Sequence, residues 1–292
     1  MDVKLYQYEV CPFSNQVKAF LDFNGVVYSK IEVNPFTKSE IKFASPVKKT
    51  PVAVINGETV VDSKLIIARV AELLLEERVR GQAAGAAPSA VSNATVATNL
   101  AHSSGGRFLP ETDIESLRAA AALSATSMPP SAQPNGQVSP SAAQEWAQWS
   151  DKTLSVLMYP NINSTPVGSW QCFAYADEVK AWGWGARVAV RVLGPMFMFL
   201  ASKGIKKKYN IKDEKEEVLA AVKHWTDQLK QASSEKQHLF FAGERVSVPD
   251  LLVFGVLRSI AGMPTHDMLM TENRMLRSWY EAIEAEIQHR CA

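Results

Sequence analysis

Three cysteines in 292 residues, Cys11, Cys172 and Cys291, are too few and too widely spaced for a disulfide framework, and they suit a reducing or matrix-like compartment. Charge of one sign is also lacking: 31 basic residues against 30 acidic ones leave a formal net charge of +1. The broad basic field that drives nucleic-acid binding is therefore missing, and no direct nucleic-acid binding is expected. The five histidines are scattered, with no metal-ligand spacing. No apolar run reads cleanly as a membrane span. Trp182 to Ile205 comes nearest, but Arg187, Arg191, Gly194 and Pro195 interrupt it, and arginines near its middle would be costly in a bilayer. A buried amphipathic helix is the expectation there, with membrane-surface contact as the alternative. No signal peptide is visible, because a strand-like segment begins at Lys4; Met1 reads as an internal start with the native N-terminus missing.

What is present, 47% hydrophobic and 21% charged residues, is the composition of a soluble globular protein long enough for two domains. LYQYEV is strand-like, and Cys11 to Asn24 places Phe13, Val17, Phe20 and Leu21 on one helical face before the stop signal Asn24-Gly25. Val27 to Val33 reads as a second strand, and residues 39–43 leave room for a short helix. PVAVINGETVV contains two β-rich runs joined by Asn56-Gly57, the pair preferred in a primed hairpin turn. Asp62-Ser63 then opens a helix. The order β-α-β-α-β-β-α predicts a thioredoxin-like α/β domain over residues 1–80. Residues 81–143, rich in Ala, Ser, Pro and Gly, read as an insert or linker with one short helix near 114–123. From residue 144 to 292 an all-α domain is expected, with helices near 144–159, 171–203, 213–232, 249–263 and 272–289. The start of the fourth is marked by Ser247, Pro249 and Asp250.

The chemistry concentrates in Cys11-Pro12-Phe13-Ser14, where the first strand gives way to the first helix. A thiol there faces unpaired backbone N–H groups and the positive end of a helix dipole, which favours the thiolate, and it is expected to be solvent-accessible. The plainer reading is a buried N-cap cysteine. Ser14 is expected to donate a hydrogen bond to the sulfur. Because Ser14 stands where a second cysteine would form an internal disulfide, the site is monothiol and needs an external partner thiol such as glutathione. Thr50-Pro51, ahead of the third strand, is either a cis pair offering its backbone to a peptide ligand or a trans proline opening an edge strand. Asp62-Ser63 is either an anion site at a helix N-terminus or a plain cap. Tyr8 points at the site or packs on the strand face. Lys206-Lys207-Lys208 reads as a solvated helix end, with an anion or lipid-headgroup site as the alternative.

With these residues in place, the chain resembles the membrane-associated prostaglandin E synthase type 2 family. LYQYEVCPFSNQVKAFLDFNGVVYSKIEVNPFTKSEIKFAS is similar to that family's opening, and the likeness resumes at TPVAVINGE, VDS.LII, QEWAQWSDKTLSVLMYPNI and VPDLLVFGVLRSIAG. The resemblance implies a glutathione-transferase arrangement. Cys11 would be the reactive thiol with Tyr8 and Phe13 beside it, Thr50 and Pro51 the cis-proline pair, and Asp62 and Ser63 the glutathione-binding pair. It also implies heme bound with glutathione, and prostaglandin H2 to E2 isomerisation. Two departures stand out. Ser14 replaces the second cysteine, and Gly204, Lys208 and Asn210 stand where arginines are expected, which weakens the case for heme.

The function expected is a glutathione-dependent thiol transferase or isomerase acting on a small apolar substrate. Tyr8, Phe13 and the apolar helix of residues 182–203 would wall the substrate pocket. The alternative is a retired enzyme serving as a structural subunit or assembly factor of a large complex. Either a homodimer or membership of a larger assembly is expected, in the mitochondrion or cytoplasm, with membrane association possible.

Overall fold

The structure is a computed structural model of the chain; it describes residues 1–83, 140–232 and 239–291. Alternation in the first strand, β1 (Val3–Gln7), sets the first layer. Val3, Leu5 and Gln7 are buried on one face, while Tyr6 packs on the other with Val33, Ile41 and Val52. β2 (Ser29–Glu32) runs parallel to β1, β3 (Val52–Ile55) antiparallel to β1, and β4 (Glu58–Val61) antiparallel to β3, in the order β2-β1-β3-β4. The β3–β4 turn is Asn56-Gly57, with φ of 50° and 89°, the positive values a primed turn requires. α1 (Pro12–Phe23) follows β1, a 3-10 turn (Ser39–Ala44) follows β2, and α2 (Ser63–Ala83) follows β4. This is the predicted order, with the short middle helix realised as a 3-10 turn.

α1 is buried nearly all round. Val17, Phe20 and Leu21 form the predicted apolar face, yet Asn15, Gln16 and Lys18 are also buried. The cause is the helical part of the chain, whose helix α8 (Val248–Arg258) packs against α1. Gly255 permits that approach: a Cβ there would lie 2.5 Å from the Cα of Gln16. Arg258 donates to Asp22 across the same seam at 2.6 Å.

α3 (Pro140–Trp149) runs through a π turn (Ser150–Leu154) into α4 (Ser155–Ile162). α5 (Pro166–Cys172), a second 3-10 turn (Ala174–Glu178), α6 (Trp184–Tyr209) and α7 (Glu214–Ala232) follow. α8, α9 (Pro264–Glu272) and α10 (Arg274–Cys291) complete the described chain. Trp225 anchors the helical core, its ring 4.9 Å from Trp146, 5.4 Å from Trp279 and 5.7 Å from Phe241. The α8 start forms as predicted: Asp250 accepts from Ser247 N at 2.9 Å and Ser247 Oγ at 2.6 Å. It also accepts from Trp279 Nε1 at 2.9 Å, tying α8 to α10.

Two expectations need correction. The helix expected over 171–203 is broken at Cys172 and resumes at Trp184, then continues to Tyr209, where Asn210 closes it with a φ of 54°. More important, α6 is not a buried helix: only Val190, Gly194, Pro195 and Ser202 are buried, and most of its apolar side chains face outward. Periodicity showed one side packing on α4 and α5 but not what would cover the other. The helix expected near 114–123 lies outside the described residues.

Candidate thiol site

Strand register collects the predicted site residues at one end of the sheet. The β1–β3 ladder pairs Tyr6 with Val52, so two further places bring Tyr8 level with Thr50. The β3–β4 ladder pairs Val52 with Val61, so Pro51 and Asp62 leave the two strands at this same end, where α2 begins at Ser63. α1 begins at this end too, because Cys11 follows β1 by four residues. The Thr50-Pro51 peptide is cis, as is Ser45-Pro46.

Cys11 is the N-cap of α1, with Pro12 in the first helical position. Its N–H donates to Tyr8 O at 3.0 Å, while its carbonyl accepts from Asn15 N and Asn15 Nδ2, both at 3.0 Å. The residue is 7% exposed, so the expectation of an accessible thiol is corrected: the site is largely covered by the chain itself. The expected Ser14 to Cys11 hydrogen bond is absent. Ser14 is fully buried and its hydroxyl has no partner. Sulfur is a weak acceptor, so Cys11 does not fold back over the first turn as a serine or aspartate cap would. Phe13 is half-buried, with Lys64 Nζ 5.6 Å from its ring centroid.

Two phenols feel the charge of the thiol. Burial, then the charge of a Cys11 thiolate, then Glu32 and Glu40 push Tyr8 up to about 12. It therefore stays protonated at neutral pH and can donate a hydrogen bond. Tyr159, on α4, is raised by burial and then by Cys11 and Cys172. Cys172 itself is pushed up to about 12 by burial.

Behind Tyr8 lies a network of carboxylates. Glu9 N donates to Glu32 Oε1 at 2.8 Å, and Gln7 Nε2 bridges Glu9 Oε2 at 2.7 Å and Glu32 Oε2 at 3.2 Å. Buried Lys18 donates to Glu9 Oε1 at 3.1 Å. Burial works to raise the Glu9 carboxyl, but Lys18 outweighs it and holds Glu9 below the usual range. Among the described residues Glu32 forms no ion pair, and burial together with the neighbouring Glu9 charge pushes it up to about 7.

The Asp62-Ser63 end is occupied by internal contacts. Asp62 has a φ of 87°, in the left-handed half of backbone space, and its Oδ1 accepts from Lys64 N at 2.9 Å. Ser63 Oγ, 3% exposed, donates to Gln16 Oε1 at 3.5 Å. Lys64 is buried beneath it; its Nζ donates to Gln16 Oε1 at 2.8 Å and forms an ion pair with Asp151 at the α3–α4 π turn. Gln16 Nε2 donates to Ser150 Oγ and Asp151 Oδ1, both at 3.2 Å.

A sequence profile described as the glutathione S-transferase N-terminal domain matches residues 5–77. Prostaglandin E synthase 2 of Danio rerio is 27% identical over 99% of this chain and 72% of its own length; that of Mus musculus is 26% identical over 99% and 71%. The chain is glutathione-transferase-like and a relative of prostaglandin E synthase 2. Glutathione S-transferase III in its apo form superposes with a TM-score of 0.52 at 14% identity, covering 99% of this chain and 95% of that one. That similarity shows the fold alone.

Within this glutathione-transferase-like frame, the apolar wall expected from residues 182–203 is corrected by the exposure of α6. It meets the N-terminal sheet domain through Phe197 and Phe36, with ring centroids 6.0 Å apart, and turns most of its apolar side chains to solvent. A cleft of about 390 Å³ lined by His266, Met270, Arg277 and Tyr280 contains none of the predicted site residues. Gly204, Lys208 and Asn210, where the resemblance implies arginines, lie at the exposed end of α6 and offer one cation among them. Sequence reasoning missed Glu32, Lys64, Asp151 and Tyr159. Each acquires its role from a partner distant in sequence, and only the QEWAQWSDKTLSVLMYPNI likeness touched Asp151 and Tyr159.

Proposed function

We propose that the chain is a glutathione-dependent thiol transferase or isomerase with Cys11 as its thiol centre. The observation that carries this reading is the convergence, at one end of the sheet, of a helix-capping thiol with the Thr50-Pro51 pair and the α2 N-terminus. Thr50, Pro51, Asp62 and Ser63 would hold glutathione, which supplies the second thiol that Ser14 does not. Tyr8 stays protonated and is the residue to donate a hydrogen bond to the sulfur or to an oxygen gaining charge. The half-buried Phe13, Tyr8 and Tyr159 give the surroundings of the thiol an apolar character suited to a small apolar substrate. The names of the relatives make prostaglandin H2 to E2 isomerisation, or a related rearrangement, the reaction to assay first. Glutathione titration against folded-state stability tests the reading.

A second reading, a retired enzyme kept as a structural subunit of a larger complex, is favoured by one observation. Ser63 and Lys64 are already joined to Gln16 and Asp151, and Cys11 is only 7% exposed. In that case the thiol end serves as a packed seam between the two parts of the chain.

A further inference from the structure

α6 carries a feature that the thiol site does not use. Trp184, Val188, Val192, Met196 and Leu200 recur every fourth residue and are 77%, 42%, 50%, 50% and 57% exposed. At about 100° per residue they form one stripe, and Lys203 and Lys207 continue it on the same side. Buried Val190 and Gly194 lie opposite, where Phe173 meets Gly194; Pro195 and Ser202 are buried along one edge of the stripe, where Ser202 Oγ donates to Asn163 O at 3.1 Å. By length and composition α6 could cross a membrane, with 22% of its apolar window buried. The contacts of that buried side hold it to the folded domain, so the exposed stripe can lie along a surface without the helix leaving its neighbours.

The charge pattern selects the occupant. α6 contains Arg187, Arg191, Lys203, Lys206, Lys207 and Lys208 and no acidic residue. Asp177 pairs with Arg191 and Glu214 with Lys206. Among the described residues no carboxylate forms an ion pair with Lys203, Lys207 or Lys208. Tryptophan indoles extend the patch, since Trp170, 45% exposed, lies beneath Arg191 at 4.2 Å. A second copy of the chain would bring another acid-free helix with the same cations. We propose that the exposed face of α6 docks on an anionic phospholipid surface, with the apolar stripe in the acyl boundary and Lys203 and Lys207 among the headgroups.

The test is sedimentation of the full chain with phosphatidylcholine vesicles, either neutral or containing about 30% phosphatidylserine, at low and high salt. The account expects binding to the anionic vesicles that weakens with salt and is at least about tenfold poorer on neutral ones. Val192→Ser/Met196→Ser/Leu200→Ser and Lys203→Ala/Lys207→Ala should each lower binding at least about tenfold, while circular dichroism and the melting curve stay unchanged. All these side chains are exposed, so folding is not at stake. No binding to anionic vesicles, or equal binding by the variants, overturns the proposal. So does a wild-type dimer at micromolar concentration that the serine variant converts to monomer, because the face would then be covered by a second copy.

Discussion

Replacing Glu32 by Gln should stabilise the protein at and above neutral pH. Glu32 is half-buried, accepts from Glu9 N at 2.8 Å and shares Gln7 Nε2 with Glu9. Its carboxyl is raised from 4.5 to about 7, chiefly by burial and then by the Glu9 charge. Between those values the folded chain holds a proton that the unfolded chain has released, so stability falls as pH rises through the window. The full gap corresponds to about 3 kcal/mol, and partial solvent screening brings the expected cost above pH 7 to between about 1 and 3 kcal/mol. Gln keeps an oxygen for the Glu9 N–H and gives up the 3.2 Å hydrogen bond from Gln7 Nε2. Urea unfolding of both proteins at pH 5, 6, 7 and 8 gives the difference free of other titrating groups. The two should coincide near about pH 4.5 and diverge upward, with Glu32→Gln the more stable. A difference that does not grow with pH, or a variant less stable at pH 8, refutes the argument.

Asp151→Ala should cost about 3 kcal/mol, because it leaves the Lys64 ammonium buried without its carboxylate; Lys64→Met combined with Asp151→Leu should recover most of that in the same denaturation assay. If the double variant is as unstable as the single one, the ion pair is not the cause. Gly255→Ala should cost about 3 kcal/mol, since its Cβ would meet the backbone of Gln16 at 2.5 Å, and the loss should appear in thermal melts. Gly204→Ala, with nothing within 4 Å on an exposed helix, should instead gain up to about 1 kcal/mol; equal effects at the two positions would contradict the close-approach argument.

The thioredoxin-like order was legible because its signals are local: Cys11-Pro12 opens a helix, Asn56-Gly57 turns a hairpin, and Asp62-Ser63 begins α2. Those same residues named the sheet end where the site lies. The environment of the thiol was not legible. Whether Cys11 is open or covered depends on how the helical part of the chain packs against α1, and Ser14 reads as a donor only until its enclosure is known. Glu32 and Lys64 look like ordinary surface charges in sequence, and their burial follows from Glu9 and Asp151, 23 and 87 residues away. α6 carried the opposite lesson: its periodicity marked a two-sided helix, but nothing local tells a core-facing stripe from one left open.

The central claim is that the sheet end around Cys11 binds glutathione. Thermal and urea unfolding of the full chain at rising glutathione concentration measures this directly, because a ligand held only by the folded state stabilises it by mass action. At about 100 times the dissociation constant the gain should reach about 2.7 kcal/mol. Asp62→Asn, which tolerates the positive φ of 87°, should lose most of that gain, whereas Cys11→Ser should retain much of it, since the anchors lie at Thr50 and the α2 N-terminus. No stabilisation at millimolar glutathione, or a gain untouched by Asp62→Asn, would contradict the account and leave the structural-subunit reading in its place.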